Sequence, residues 1–217
     1  MRNDVKKANG VSRRRILQTG AVAVTTLSTA GVAAANGGGG VTKQTSNVMG
    51  PSLVLAEDPD DLTDCVDTGD RDVYEEDGAT LRRNPNSISA KVSIDTPEPG
   101  TYCYAEGDTA VAEAGPPEGF TLWLFTFDEE QGSFGDFPWS GAFFVAGHLV
   151  GGPNLNLSGQ ISTETEPFGG FPLENLDVEV HLAVAPHGAL ETDIMPEQIQ
   201  TPAGTPGHWW VSIFEEV

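Results

Sequence analysis

The chain is poor in positive charge. Its 217 residues hold 11 Lys and Arg against 32 Asp and Glu, a formal charge of −21. Six of those bases (Arg2, Lys6, Lys7, Arg13, Arg14, Arg15) lie in residues 1–35 with a single acid, Asp4. The remainder has five bases and 31 acids, a net charge of −26, and only two lysines, Lys43 and Lys91. Nucleic-acid binding through phosphates needs a basic patch, so this composition excludes it. Anionic lipid surfaces repel such a chain. Long apolar runs are also scarce. The segment Ala21–Ala35 is interrupted by Thr25, Thr26, Ser28 and Thr29 and is short for a membrane span. The C-terminal stretch closes on Glu215-Glu216-Val217 without an apolar tail, so no membrane insertion of the mature chain is expected.

Several chemical signatures are missing as well. There is no G-x-S-x-G, no P-loop and no G-x-G-x-x-G after a strand, which argues against the hydrolase and nucleotide-binding classes those motifs mark. The acidic run 57–78, with eleven acids and Arg71 as its only base, lacks the alternating acids of a calcium loop; Asp67, Asp70 and Asp72 do not fit that pattern. It is expected to be a solvated loop that holds hydrated cations loosely. Paired carboxylates for glycosidic chemistry cannot be picked from 31 acids, because separation in space defines them.

What is present begins with an address. Ser12-Arg13-Arg14-Arg15-Ile16-Leu17 resembles the twin-arginine export motif, with Arg13 and Arg14 as its pair. A mild apolar stretch follows, and Ala33-Ala34-Ala35 suits an A-x-A cleavage site. Residues 1–35 are therefore expected to be a signal peptide and the mature protein extracellular. No cysteine stands just after the apolar stretch, so no lipid anchor is expected. The signal, the lysine-poor mature chain and the acidic excess together resemble secreted proteins of halophilic archaea. Carboxylates hold water and cations there, while molar salt screens their repulsion to about 3 Å.

Residues 36–52 open on four glycines and continue with Thr, Ser and Gln, and are expected to be a flexible linker. Residues 53–217 are expected to be one domain. Beyond residue 50 no apolar period of 3.6 holds over three turns. Alternation of period two is clear instead, at Ile88–Ile94, Leu155–Ile161 and Leu176–Ala185. Phe120–Phe127 and Phe143–Val150 are apolar on both faces and predict central, doubly covered strands. His208–Phe214 predicts a terminal strand whose adjacent Trp209 and Trp210 point to opposite faces. Pro- and Gly-rich turns separate these runs. The expected fold is an all-β, antiparallel sandwich or barrel of about 7–9 strands.

Cys65 and Cys103 are the only cysteines, and in an exported chain an even pair predicts a disulfide. Among the four histidines, His181 lies on the polar face of its expected strand and His187 in the turn after it. With His148 they form the candidate metal set, an alternative to a chain without cofactors. Trp123, Trp139, Trp209 and Trp210 are the candidates for a sugar-stacking surface. Asn156-Leu157-Ser158 is a glycosylation sequon with Asn156 expected to point outward.

From Thr121-Leu122-Trp123-Leu124-Phe125 through Gly147-His148-Leu149-Val150 to Val180-His181-Leu182 and Pro186-His187-Gly188, the sequence resembles a group of uncharacterised secreted β-proteins. The strand histidine followed by His-Gly also resembles the CHRD domain, an extracellular β-module. Neither resemblance implies an activity. The function expected is that of an exported, non-enzymatic module binding a cell surface or protein partner. A metal-binding domain and a carbohydrate-binding module are the alternatives.

The charge makes a prediction about solvent. With a net −26, the fold is expected to loosen below roughly 0.5–1 M salt as self-repulsion goes unscreened. Thermal melts in dilute buffer and in molar KCl check this, and equal melting temperatures would refute it.

Overall fold

A computed structural model of the chain describes residues 41–105, 117–149, 151–190, 193 and 195–217. The export motif, with Arg13 and Arg14, and residues 36–40 of the expected linker lie outside them. The fold is all-β: a nine-stranded antiparallel sheet, curled into a sandwich or half-barrel, and a separate two-stranded hairpin.

Alternating side chains build the first half of the large sheet. In β5 (Ser87–Asp95), Ile88, Ala90, Val92 and Ile94 turn inward. Its hairpin partner β4 (Val73–Asn84) adds Ala79 and Leu81, and β8 (Asn154–Ser162) adds Leu155, Leu157 and Ile161. Ile88 pairs with Ile161, Val92 with Leu157 and Ile94 with Leu155, so apolar side chains meet directly across the ladder. At the centre of that ladder Ala90 faces Gly159. A Cβ on Gly159 would lie 2.4 Å from the Val145 carbonyl oxygen of β7 (Gly141–Leu149). The absent side chain thus lets the two far limbs of the curled sheet touch.

The second half is covered on both faces. In β6 (Glu118–Phe127), Phe120, Leu122 and Leu124 enter the main core, while Trp123 and Phe125 enter a second cluster on the outer face. Its neighbour β10 (Glu179–Ala189) does the same with Val180, Leu182 and Val184 inside and Ala183 and Ala185 outside. Ala183 pairs with Trp123, so a small residue sits beside the largest one. In β11 (Trp210–Phe214) and the residue before it, Trp210 faces the main core and Trp209 the outer cluster, as their adjacency requires. The predicted double coverage holds for β6. It fails for the far half of β7, where Gly147, His148 and Leu149 are exposed because only the two-residue β9 (Gly169–Gly170) lies beyond that strand.

Two expectations are corrected. Residues 42–49 of the expected linker form β1 (Thr42–Met49), a central strand between β4 and β11. Only Val48 of this polar strand reaches the core. Its place is fixed by Gln44, which is buried and hydrogen-bonded to Arg83 and to the Glu215 carbonyl. The acidic run is also not all loop: β2 (Leu53–Leu55) pairs with β3 (Cys65–Asp67), and β4 begins within the run. The Cys65–Cys103 disulfide is present, with Cα atoms 6.1 Å apart.

Arg83 is 3% exposed and, among the described residues, has no carboxylate within salt-bridge distance. It donates to the carbonyls of Leu176 and Val178 at 2.7 Å and of Glu215 at 3.1 Å, and to the Gln44 side-chain oxygen. One guanidinium therefore joins β4, β1, the approach to β10 and the C-terminal segment. Replacing it by Met strips the donor from four acceptors, two of them in buried hydrogen bonds and two in part-buried ones. Arg83→Met is expected to cost about 3 kcal/mol and to lower Tm by roughly 10 °C, with Arg83→Lys recovering only part. Chemical denaturation in molar salt measures both.

Candidate binding surface

The three histidines of the candidate metal set do not converge. His181 and His187 share the outer face of β10, but six residues of extended chain put them roughly 20 Å apart. His148 lies on β7 opposite Phe120, whose side chain faces the other side of the sheet. Each of the first two has its own local role. His181 Nε2 lies 2.7 Å from Glu179 Oε1 and its ring packs on Phe127; the hydrogen bond to His181 holds the Glu179 carboxyl below its ordinary value. His187 lies within the strand and not in the turn that the sequence predicts. β10 continues to Ala189 through a bulge in which Gly188 takes a positive φ of 66°. This turns His187 onto Thr121, whose hydroxyl lies 2.7 Å from Nε2 and accepts from Trp123 Nε1 at 2.9 Å. His187 is 1% exposed, and burial pushes its imidazole down to about 4. The fourth histidine, His208, is held by Thr205, whose backbone N–H donates to Nδ1 at 3.1 Å. Among the described residues no three His, Cys, Asp or Glu side chains gather around a common point.

The sugar-stacking surface is not assembled either. Trp123, Trp209 and Trp210 are buried, and Trp139 is half-buried. Asn156 is exposed on β8, where its side-chain oxygen accepts from the Ser93 hydroxyl at 2.7 Å.

A different set of rings does gather at the surface. The connection between β6 and β7 and the segment around β9 cross the outer face of the sheet. Phe134, Phe137, Phe168 and Phe171 are all exposed there, at 37–55%. Phe134 and Phe137 stack on Trp139 with centroids 5.7 and 4.7 Å apart. Phe171 meets Phe134 edge-on, and Phe168 meets Trp123 edge-on. Trp139 in turn packs on Phe125, so the patch is rooted in the outer cluster. The supporting loop is built from its own polar groups. Asp128 Oδ1 accepts from the Glu130 N–H at 2.8 Å, and the Ser140 hydroxyl donates to the Gly132 carbonyl at 2.7 Å. The rings are thus held out on a braced loop. Sequence reasoning passed over them, although aromatics between glycines and prolines in a loop have no strand face to fill.

Inside the sheet, Glu118 was also passed over. The sequence places it in a Pro-Gly turn, but it opens β6 and is 3% exposed. The hydroxyls of Tyr102 and Tyr104 donate to its two carboxylate oxygens. Burial pushes Glu118 up to about 7 and Tyr104 up to about 12. The spacing Tyr102-Cys103-Tyr104 sends both phenols to the same side, which is the one sequence signal for this cluster.

Compared with known proteins, the chain matches no family model, no curated protein and no solved structure. The geometry of the chain itself therefore carries the functional argument.

Glu118 and His187 have opposite effects on stability with pH. Glu118 holds its proton more tightly in the fold, so stability falls as pH rises from about 4.5 to about 7. His187 binds its proton less tightly in the fold, so stability falls as pH drops from about 6.5 to about 4. Glu118→Gln removes the first effect and leaves the second. Its stability relative to wild type is expected to improve by up to about 3 kcal/mol between pH 4.5 and 7.5. Paired urea melts at the two pH values measure this, and a pH-independent difference would contradict it.

Proposed function

We propose that the chain is an exported, non-enzymatic β-domain that binds a protein at the cell surface through its outer aromatic patch. The observation that carries this reading is the exposure of Phe134, Phe137, Phe168 and Phe171 around Trp139. Exposed rings cost solvation free energy unless a partner covers them, and contiguous apolar patches of this kind mark interaction sites. Aromatic side chains supply large contact area at little entropic cost and dominate binding energy where they occur at interfaces. The expected environment favours this mode. Molar salt screens charge to about 3 Å, so long-range steering by the −26 domain is lost and apolar contact remains. The twin-arginine-like segment with Arg13 and Arg14 supports export, and the acidic, lysine-poor surface suits brine.

A photo-crosslinking residue at position 137, in the host that exports the protein, tests the reading. It is expected to give a discrete protein adduct, absent when the same residue replaces exposed Lys91 on β5. Phe134→Ser with Phe168→Ser is expected to abolish the adduct while changing Tm by less than about 3 °C. Equal labelling from positions 137 and 91, or an adduct that survives the double substitution, would count against it.

A further inference from the structure

We propose a second site: a groove at the β2–β3 end of the domain that binds an extended, proline-containing peptide carrying a basic residue. Two adjoining hollows, about 170 and 350 Å³, share Pro51, Val54 and Tyr74. One wall is the β2–β3 hairpin and the residues leading into it. The other is the connection after β5, which contributes Pro97 and Tyr102. The two walls are joined covalently, since Cys65 lies in β3 and Cys103 follows Tyr102. The groove is therefore held in shape before any ligand arrives, which lowers the ordering cost of binding.

Three features define the ligand. The first is Trp210, which lines the groove, is 2% exposed and has an indole N–H with no acceptor among the described residues. A buried donor left unpaired costs about 1–3 kcal/mol, and a peptide carbonyl would satisfy it. Tyr74 is 38% exposed and lies edge-on to Trp210 at 5.9 Å. Both rings line the same hollow. The second is the lining of prolines and phenol rings, a surface onto which pyrrolidine rings pack. Polyproline segments also keep their carbonyls free and have little backbone entropy to lose. The third is charge. Asp70 and Asp72 line one hollow and Glu98 the other, with no lysine or arginine among the lining residues. A cationic side chain on the peptide complements them. Exposed Val54 stands between, where an apolar ligand would cover it.

The test uses the full folded domain in molar KCl and a fluorescein-labelled peptide, Gly-Pro-Pro-Arg-Pro-Pro-Gly. Fluorescence anisotropy is expected to show saturable binding in the micromolar range. A peptide with Ser for every Pro is expected to bind at least about tenfold more weakly, and one with Glu for Arg about threefold more weakly in this salt. Val54→Glu alters an exposed wall residue, so it should fold normally and weaken binding by about tenfold or more. In a 15N–1H spectrum the indole resonance that disappears in Trp210→Phe should move on adding peptide. The proposal is overturned if the peptide shows no saturable binding up to millimolar concentration, if the Ser peptide binds equally well, or if Val54→Glu keeps wild-type affinity. None of these outcomes bears on the aromatic patch, which lies on other elements.

Discussion

The interaction on which the architecture depends is a guanidinium surrounded by carbonyls. Beyond residue 35 the chain has five basic side chains, and two of them are spent on backbone oxygens. Arg83 gathers Leu176, Val178 and Glu215. Arg71 donates to the carbonyls of Gly50 and Trp209 at 2.7 Å and also reaches that of Pro206. With 31 acids beyond residue 35, carboxylates are plentiful, yet among the described residues neither guanidinium is within salt-bridge distance of one. The physical advantage follows from the solvent. An exposed ion pair is worth little and fades with salt, whereas a buried charge-assisted hydrogen bond is shielded from both water and ions. At Arg83 scarce positive charge lies where dissolved salt weakens it least. Polar β1 holds its central position through the same clamp.

The two faces of the sheet have different tasks. The inner face holds the aliphatic core, closed by the limb contact at Gly159. The outer face of β6 and β10 is covered by loops, and those loops carry the exposed rings. Trp123 and Phe125 thus serve as a foundation on which Trp139, Phe134, Phe137 and Phe168 are raised. A change in the outer cluster would therefore be felt at the exposed rings without passing through the main core.

How much the sequence disclosed follows from which residues carry a local signal. Ile88–Ile94 and Leu155–Ile161 alternate cleanly because each strand has one wet face, and both strands formed where the pattern put them. The Trp209-Trp210 pair divided as adjacency demands, and the two cysteines paired. β1 was illegible because its stability comes from two neighbouring strands and a buried arginine, none of which its own polar residues announce. His187 was misplaced because Pro186 and Gly188 look like a turn, whereas pairing with β6 extends the strand through a bulge. Glu118 was hidden among 31 acids until burial and two phenols distinguished it. The histidines drew attention by their rarity, but six residues of strand kept His181 and His187 apart, while the rings that gather at the surface came from loops without any periodic signal.

The contact between β7 and β8 bears on how the sheet meets other chains. A sheet that does not close has terminal strands, and unpaired strands recruit copies of themselves. At one end the last strand is only Gly169-Gly170, too short to template another chain, and it shields β7 only at Gly141 and Ala142. At the other, β8 rests its inner face on β7 at the glycine and keeps its outer edge free. Growth of the sheet by strand addition is therefore confined to the edges of β8 and of β7 beyond Ala142.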